Sequence, residues 1–240
     1  MSGLFLNAGP VHLSNSVQLA ISERREISPL TRVPKDTLNA WKNDLSEWTQ
    51  PDVFRARIDQ ITQTIPRKIF FGQGGLAFLR DAWIASRLAS ALSSDLVRLI
   101  SSDRPDFEIQ TDERIEQFEA TEADMDGRRR GDEPDDLIPR PDPVESWRER
   151  FEAIPAAIDR VVAKKLEKNY SPEINLAIYV NLGCYGAFVE EGLPILRDHT
   201  APAKTRFKRV FVLWEACLYR FWEDGKLKFE KWSYTHPEDL

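Results

Sequence analysis

Cysteine and histidine are scarce, two and three residues in a chain of 240. Cys184 and Cys217 are too few for a disulfide framework, and neither stands in a CxxC or Cys/His cluster of the zinc-binding kind. A reducing, cytoplasmic setting is the expectation that follows. His12, His199 and His236 are scattered, with no Ser, Cys or acid at catalytic spacing, so histidine-based hydrolase and metalloprotease chemistry finds no support. No apolar run approaches the roughly 18 residues of a membrane span. Residues 1–18 contain Leu4-Phe5-Leu6 but no basic n-region, long apolar stretch or small-residue cleavage site, so neither secretion nor membrane insertion is expected. A global positive field is absent too: 33 Lys plus Arg stand against 39 Asp plus Glu, a formal charge of -6, so any nucleic-acid contact must be local.

What is present is a globular composition, 42% hydrophobic and 30% charged, enough for one sizeable core or two small ones. Residues 1–70 read as a helical extension broken by Pro29, Pro34 and Pro51, with amphipathic pieces at 38–48 and 53–65. Residues 71–240 read as the main domain. Gly72-Gln73-Gly74-Gly75 lacks the preceding strand and Lys-Ser/Thr ending of a phosphate loop and is taken as a plain loop. An Ala-rich, buried helix is expected over 76–92, then short strands at 97–100, 107–110 and 115–121. A charged, Pro-rich surface loop should cover 122–143. Trp147, Phe151, Ile154, Ile158, Val161 and Val162 follow at helical steps, with Pro155 placed to kink or restart the helix. The run at 176–182 (LAIYVNL) has the continuous apolar character of a strand buried on both faces. Segments 210–214 and 218–222 read as further strand or helix, ending in a hairpin turned by Asp224-Gly225.

The strands around residue 112 carry the chemistry. A hairpin centred between Asp112 and Glu113 pairs residues whose numbers sum to 225 and sets Asp106 across from Glu119, with Cβ atoms about 5 Å apart. Like charges at that distance raise each other's pKa unless a cation lies between them, and such a pair suits Mg²⁺. Strand alternation places Ile115, Gln117, Glu119 and Thr121 on one face and Glu116, Phe118, Ala120 and Glu122 on the other.

Pro105-Asp106, a short hairpin and Glu119-x-Thr121 resemble the PD-(D/E)XK nuclease superfamily, over roughly residues 75–182. The resemblance implies an α/β (α+β) fold, a restriction-endonuclease-like αβββαβ core with a central mixed sheet flanked by helices. It also implies a Mg²⁺-dependent deoxyribonuclease, with Mn²⁺ a possible substitute and DNA as partner. By that resemblance Asp106, Glu119 and the Ala120 carbonyl hold the metal, with Glu122 a possible additional carboxylate. The family's lysine is replaced by Thr121, which can hydrogen-bond a water but brings no charge. Some members carry that lysine on the following helix. Here, taking Ile158 as zero at 100° per residue, Lys165 falls at 340°, on the apolar face, and Lys164 at 240°, toward its edge. Lys165 is the candidate that would polarise the water or the phosphate. Its alternative is a lysine whose stem packs on the core while its ammonium reaches water.

Two further signals concern nucleic acid. Arg128, Arg129 and Arg130 could grip a phosphate backbone or, among neighbouring acids, form a self-compensating loop. Residues 204–232 hold 8 basic and 4 acidic positions interleaved with aromatics that could equally belong to the core. Against the nuclease stands an inactive protein of the same fold, serving as an interaction or scaffold module, with a protein partner or a homodimer through the N-terminal extension. An α+β domain unrelated to nucleases is the third reading.

Overall fold

The computed structural model describes residues 32–101, 104–112, 114–127 and 146–233. Arg128, Arg129 and Arg130 lie outside the described residues, as does most of the loop expected over 122–143. Helices α1 (Lys35–Leu45), α2 (Pro51–Gln63) and α3 (Arg67–Gly72) precede a 3₁₀ turn (Gly74–Leu76) and α4 (Ala77–Ala91). Then come β1 (Leu96–Leu99), β2 (Phe107–Thr111), β3 (Arg114–Ala123), α5 (Trp147–Leu166), β4 (Asn175–Val180), α6 (Val189–Thr200), a 3₁₀ turn (Ala201–Thr205), β5 (Arg209–Trp214), β6 (Cys217–Glu223) and β7 (Lys226–Ser233).

The seven strands form one mixed sheet in sequence order. β1, β2 and β3 are an antiparallel meander; β3, β4 and β5 run parallel, with α5 and α6 as crossovers; β6 and β7 return antiparallel. Short turns can join only antiparallel neighbours, whereas each parallel pair needs a long connection, which the helices supply. The terminal hairpin turns at Asp224-Gly225, both at positive φ, as the sequence indicates.

Alternation along the central strands divides the apolar side chains between two layers. Ala177, Phe211 and Leu213 face α1–α4, while Leu176, Ile178, Val180, Val210, Val212 and Trp214 face α5 and α6. Val33, Leu38, Leu45, Phe54 and Ile58 share the first of these cores with Val97, Phe107 and Phe118. The helices expected in the N-terminal segment are therefore part of the sheet's packing, and residue 70 falls inside one compact unit spanning residues 32–240. Thr49 joins them to the sheet: its N–H donates to the Val97 carbonyl (3.1 Å) and its carbonyl accepts from the Val97 N–H (2.8 Å).

Two local expectations change, and one helix was not expected. α5 runs unbroken through Pro155, because Phe151 and Ile154 before it and Ile158 and Val162 after it bury one continuous face. Its start is fixed by a capping box between Ser146 and Glu149. β3 extends to Ala123, so Glu122 lies in the strand and not in the loop. α6 had no strong sequence signal, since Gly192 and Pro194 both disfavour helix; Gly192 is required because a Cβ there would stand 2.4 Å from the Trp214 ring. Among the described residues no helix is long and apolar enough to cross a membrane.

Candidate functional site

The β2–β3 ladder pairs Phe107 with Phe118, Glu108 with Gln117 and Thr111 with Arg114, the register in which numbers sum to 225. At Asp106 the ladder departs by one residue: the Asp106 N–H donates to the Phe118 carbonyl at 2.9 Å. Asp106 and Phe107 thus crowd against Phe118, in the manner of a bulge. The simple opposition of Asp106 and Glu119 is replaced by a different contact. Oδ2 of Asp106 accepts the Ala120 N–H at 2.7 Å, so the carboxylate lies along the β3 edge. N–H and C=O of one strand residue point to the same edge, which leaves the Ala120 carbonyl on the Asp106 side.

Glu119 is 3% exposed and turns to the α5 layer. Its Oε1 accepts from Lys165 Nζ at 2.6 Å and from the Tyr170 hydroxyl at 2.9 Å. Its Oε2 is buried with no hydrogen-bond partner. Lys165 reaches it because it lies seven residues beyond Ile158 and three beyond Val162, two turns along the buried face of α5. Lys164 is exposed on the same turn. Thr121 shares the Glu119 face and is half-buried. Glu122 lies on the other face, where it accepts from Asn181 Nδ2 at 3.0 Å.

Two residues that sequence reasoning missed complete the cluster. Asp81, on α4, is held by Arg80, whose Nη2 donates at 2.7 Å and Nε at 3.0 Å. The available signal was its phase: Asp81 lies three, four and seven residues before Ile84, Ala85 and Leu88, all fully buried, so an acid stands on the core stripe of an Ala-rich helix. Tyr170 could not be found by spacing, since the turn after α5 sets its position. Burial and Glu119 push its hydroxyl well above the usual tyrosine range, which keeps it a donor.

Burial, then Asp81, then Glu119, push the Asp106 carboxyl up to about 6, against the opposing pull of the Ala120 N–H and Lys165. Asp81 is also raised, by burial first, with Arg80 opposing. The group is an acidic pocket short of positive charge. Glu119 Oε2, an acceptor buried without a partner, fits a bound cation, and hard carboxylate and carbonyl oxygens fit Mg²⁺ or Mn²⁺. Among the described residues no three Asp, Glu, His or Cys side chains converge closely enough to hold a metal unaided, so a metal here would rest on two carboxylates with backbone and water.

The aromatics at 207–222 behave as core, while β7 is largely exposed. Phe207, Phe211, Trp214, Tyr219, Phe221 and Trp222 are buried. Several bases of the stretch at 204–232 have acidic partners: Lys208 pairs with Glu173, Arg209 with Glu116 and Glu223, Arg220 with Glu230 and Lys228 with Glu223. Comparison with family models, with curated proteins and with solved structures finds no match for this chain.

Proposed function

We propose that the chain is a divalent-metal-dependent phosphodiester hydrolase of the restriction-endonuclease-like type, acting on DNA. One observation carries this reading: the unpartnered buried Oε2 of Glu119, beside an Asp106 whose carboxyl is raised to about 6 and a lysine delivered from the next helix. The order of α4, the β1–β3 meander, α5 and the parallel β4 agrees with the αβββαβ core of that superfamily.

Asp106, Glu119 and the Ala120 carbonyl would hold the metal, which when bound supplies Lewis-acid charge neutralisation and a bound water of lowered pKa. The remaining work belongs to this chain. Tyr170 and Lys165 both donate to Oε1 of Glu119, which fixes the carboxylate plane and turns Oε2 away from them. The Ala120 N–H does the same for Oδ2 of Asp106. The Lys165 ammonium, 11% exposed, places a fixed positive charge next to the acids, where charge develops on a phosphate oxygen. Thr121, on the Glu119 face, can orient a water through its hydroxyl.

The test is cleavage of supercoiled, linear and single-stranded DNA with Mg²⁺ or Mn²⁺, beside Asp106→Asn, Glu119→Gln and Lys165→Met at matched folding. Cleavage by the wild type, lost in all three variants, supports the reading. A wild type that neither cleaves nor binds Mg²⁺ by calorimetry would return the chain to the inactive, interaction-module reading.

A further inference from the structure

A cleft of about 610 Å³ opens beside Asp106, lined from α1 by Asn39, Lys42 and Asn43 and from α4 by Phe78 and Asp81. Asn39, Lys42 and Asn43, with the C-cap Ser46, recur at i, i+3, i+4 and i+7 along the polar face of α1, while Leu38 and Leu45 are buried in the core. Lys42 Nζ lies 5.2 Å from the Phe78 ring centroid, so a cation and an aromatic ring are presented together at the cleft.

We infer that this cleft receives one nucleotide of a single strand, its base stacked on Phe78 and its phosphate paired with Lys42, with the phosphodiester directed to Asp106. The inference rests on the hydrolase reading above and names its substrate class. The volume is that of a small-molecule site. A concavity of this volume encloses on the order of one nucleotide, whereas a duplex is read by a protein element inserted into a groove about 12 Å wide. A basic side chain beside an aromatic stacking surface, as Lys42 stands beside Phe78, is the local combination that binds single strands. The amides of Asn39 and Asn43 each offer donors and an acceptor to a base edge. The two acids at the other end of the cleft would repel a phosphate on their own. Phosphate entry past them is therefore tied to the cation that the Glu119 site calls for.

The experiment is fluorescence anisotropy of the wild-type full chain with labelled oligothymidylate and with a blunt duplex, both phosphorothioate-linked so that the probes resist hydrolysis and both in Mg²⁺. The single strand should bind more tightly. Phe78→Leu should weaken it about ten-fold, and Phe78→Tyr, which keeps the ring, should not. Lys42→Met should lower the slope of log affinity against log salt by about 0.7, the share of one phosphate contact. Duplex binding as tight as single-strand binding, or Phe78→Leu and Lys42→Met binding like the parent, would overturn the inference. Cleavage by the wild-type chain, read in parallel, separates the two claims. Ring-dependent binding without cleavage keeps the cleft and removes the hydrolase; cleavage indifferent to Phe78 and Lys42 does the reverse.

Discussion

Lys165 and Glu119 are 46 residues apart in sequence and 2.6 Å apart in the fold, an ion pair with side chains 11% and 3% exposed. Removing one partner of a buried pair leaves the other charge without compensation, a loss of about 3–5 kcal/mol. Lys165→Met should therefore lower the urea midpoint well below that of the exposed neighbour's variant Lys164→Met, which should stay near wild type. Equal midpoints for the two variants would show that Lys165 is solvated in solution.

Asp106 provides a pH test. Its carboxyl titrates near 6 when folded, against an ordinary value of 3.8. A raised acid binds its proton more tightly in the folded state, so its contribution is fully present below pH 3.8 and is lost as pH rises through 6. At pH 8 the ionised group is a net cost on the order of 2–3 kcal/mol. Asp106→Asn can keep the Ala120 hydrogen bond and should raise Tm at pH 8 while changing it little at pH 3.5. A Tm difference independent of pH would contradict the raised carboxyl.

Metal affinity should follow the same titration, because the ligand must be deprotonated. Mg²⁺ or Mn²⁺ should raise Tm at pH 8, do so far less at pH 5, and have no effect on Asp106→Asn or Glu119→Gln at either pH. EDTA should abolish the shift reversibly. An undiminished shift in Glu119→Gln would place the ion elsewhere.

Thr121 shares a strand face with Glu119, and on the proposed hydrolase reading it stands where a lysine would supply charge to the site. The double variant Thr121→Lys, Lys165→Met should recover cleavage to within about ten-fold of wild type if the two positions deliver the same charge. Recovery would show that a cation, and not a particular backbone position, is required; persistent inactivity would tie the function to the α5 lysine and its hold on Oε1.

Gly192→Ala tests the packing of α6. The added methyl carbon would lie 2.4 Å from one Trp214 ring carbon and 2.6 Å from another, and Trp214 is fully buried. A loss of about 1–3 kcal/mol is expected from this overpacking, read as a lower denaturant midpoint at unchanged slope.

Period and register made a good part of the fold legible. The hairpin arithmetic gave the β2–β3 pairing because tight turns fix register, and 100° per residue carried Lys165 to the acids across a helix whose buried face repeats regularly. What sequence could not supply were the departures from periodicity. The bulge at Asp106 moves its carboxylate to the strand edge, and nothing in Arg104-Pro105-Asp106 announces a one-residue shift. α6 was hidden by Gly192, whose reason is a tryptophan 22 residues later. Asp81 left a local trace, an acid on the buried stripe of α4, whereas Tyr170 joins the site through packing between elements that no local pattern encodes. The boundary drawn at residue 70 followed prolines, yet Phe54 and Ile58 are buried against strands that come later in the chain.

The bridge between Thr49 and Val97 bears on how the sheet meets a foreign strand. A sheet of seven strands has two rims able to template a foreign strand. On the β1 rim the Val97 N–H and C=O are already engaged by Thr49, so a newcomer finds that position occupied by the chain itself. The opposite rim, β7, has no such cover among the described residues, and it carries Lys226, Lys228 and Lys231 in eight positions. One rim is plugged with backbone and the other defended with charge, so concentrated salt should expose a tendency to self-pair at β7 and leave β1 inert.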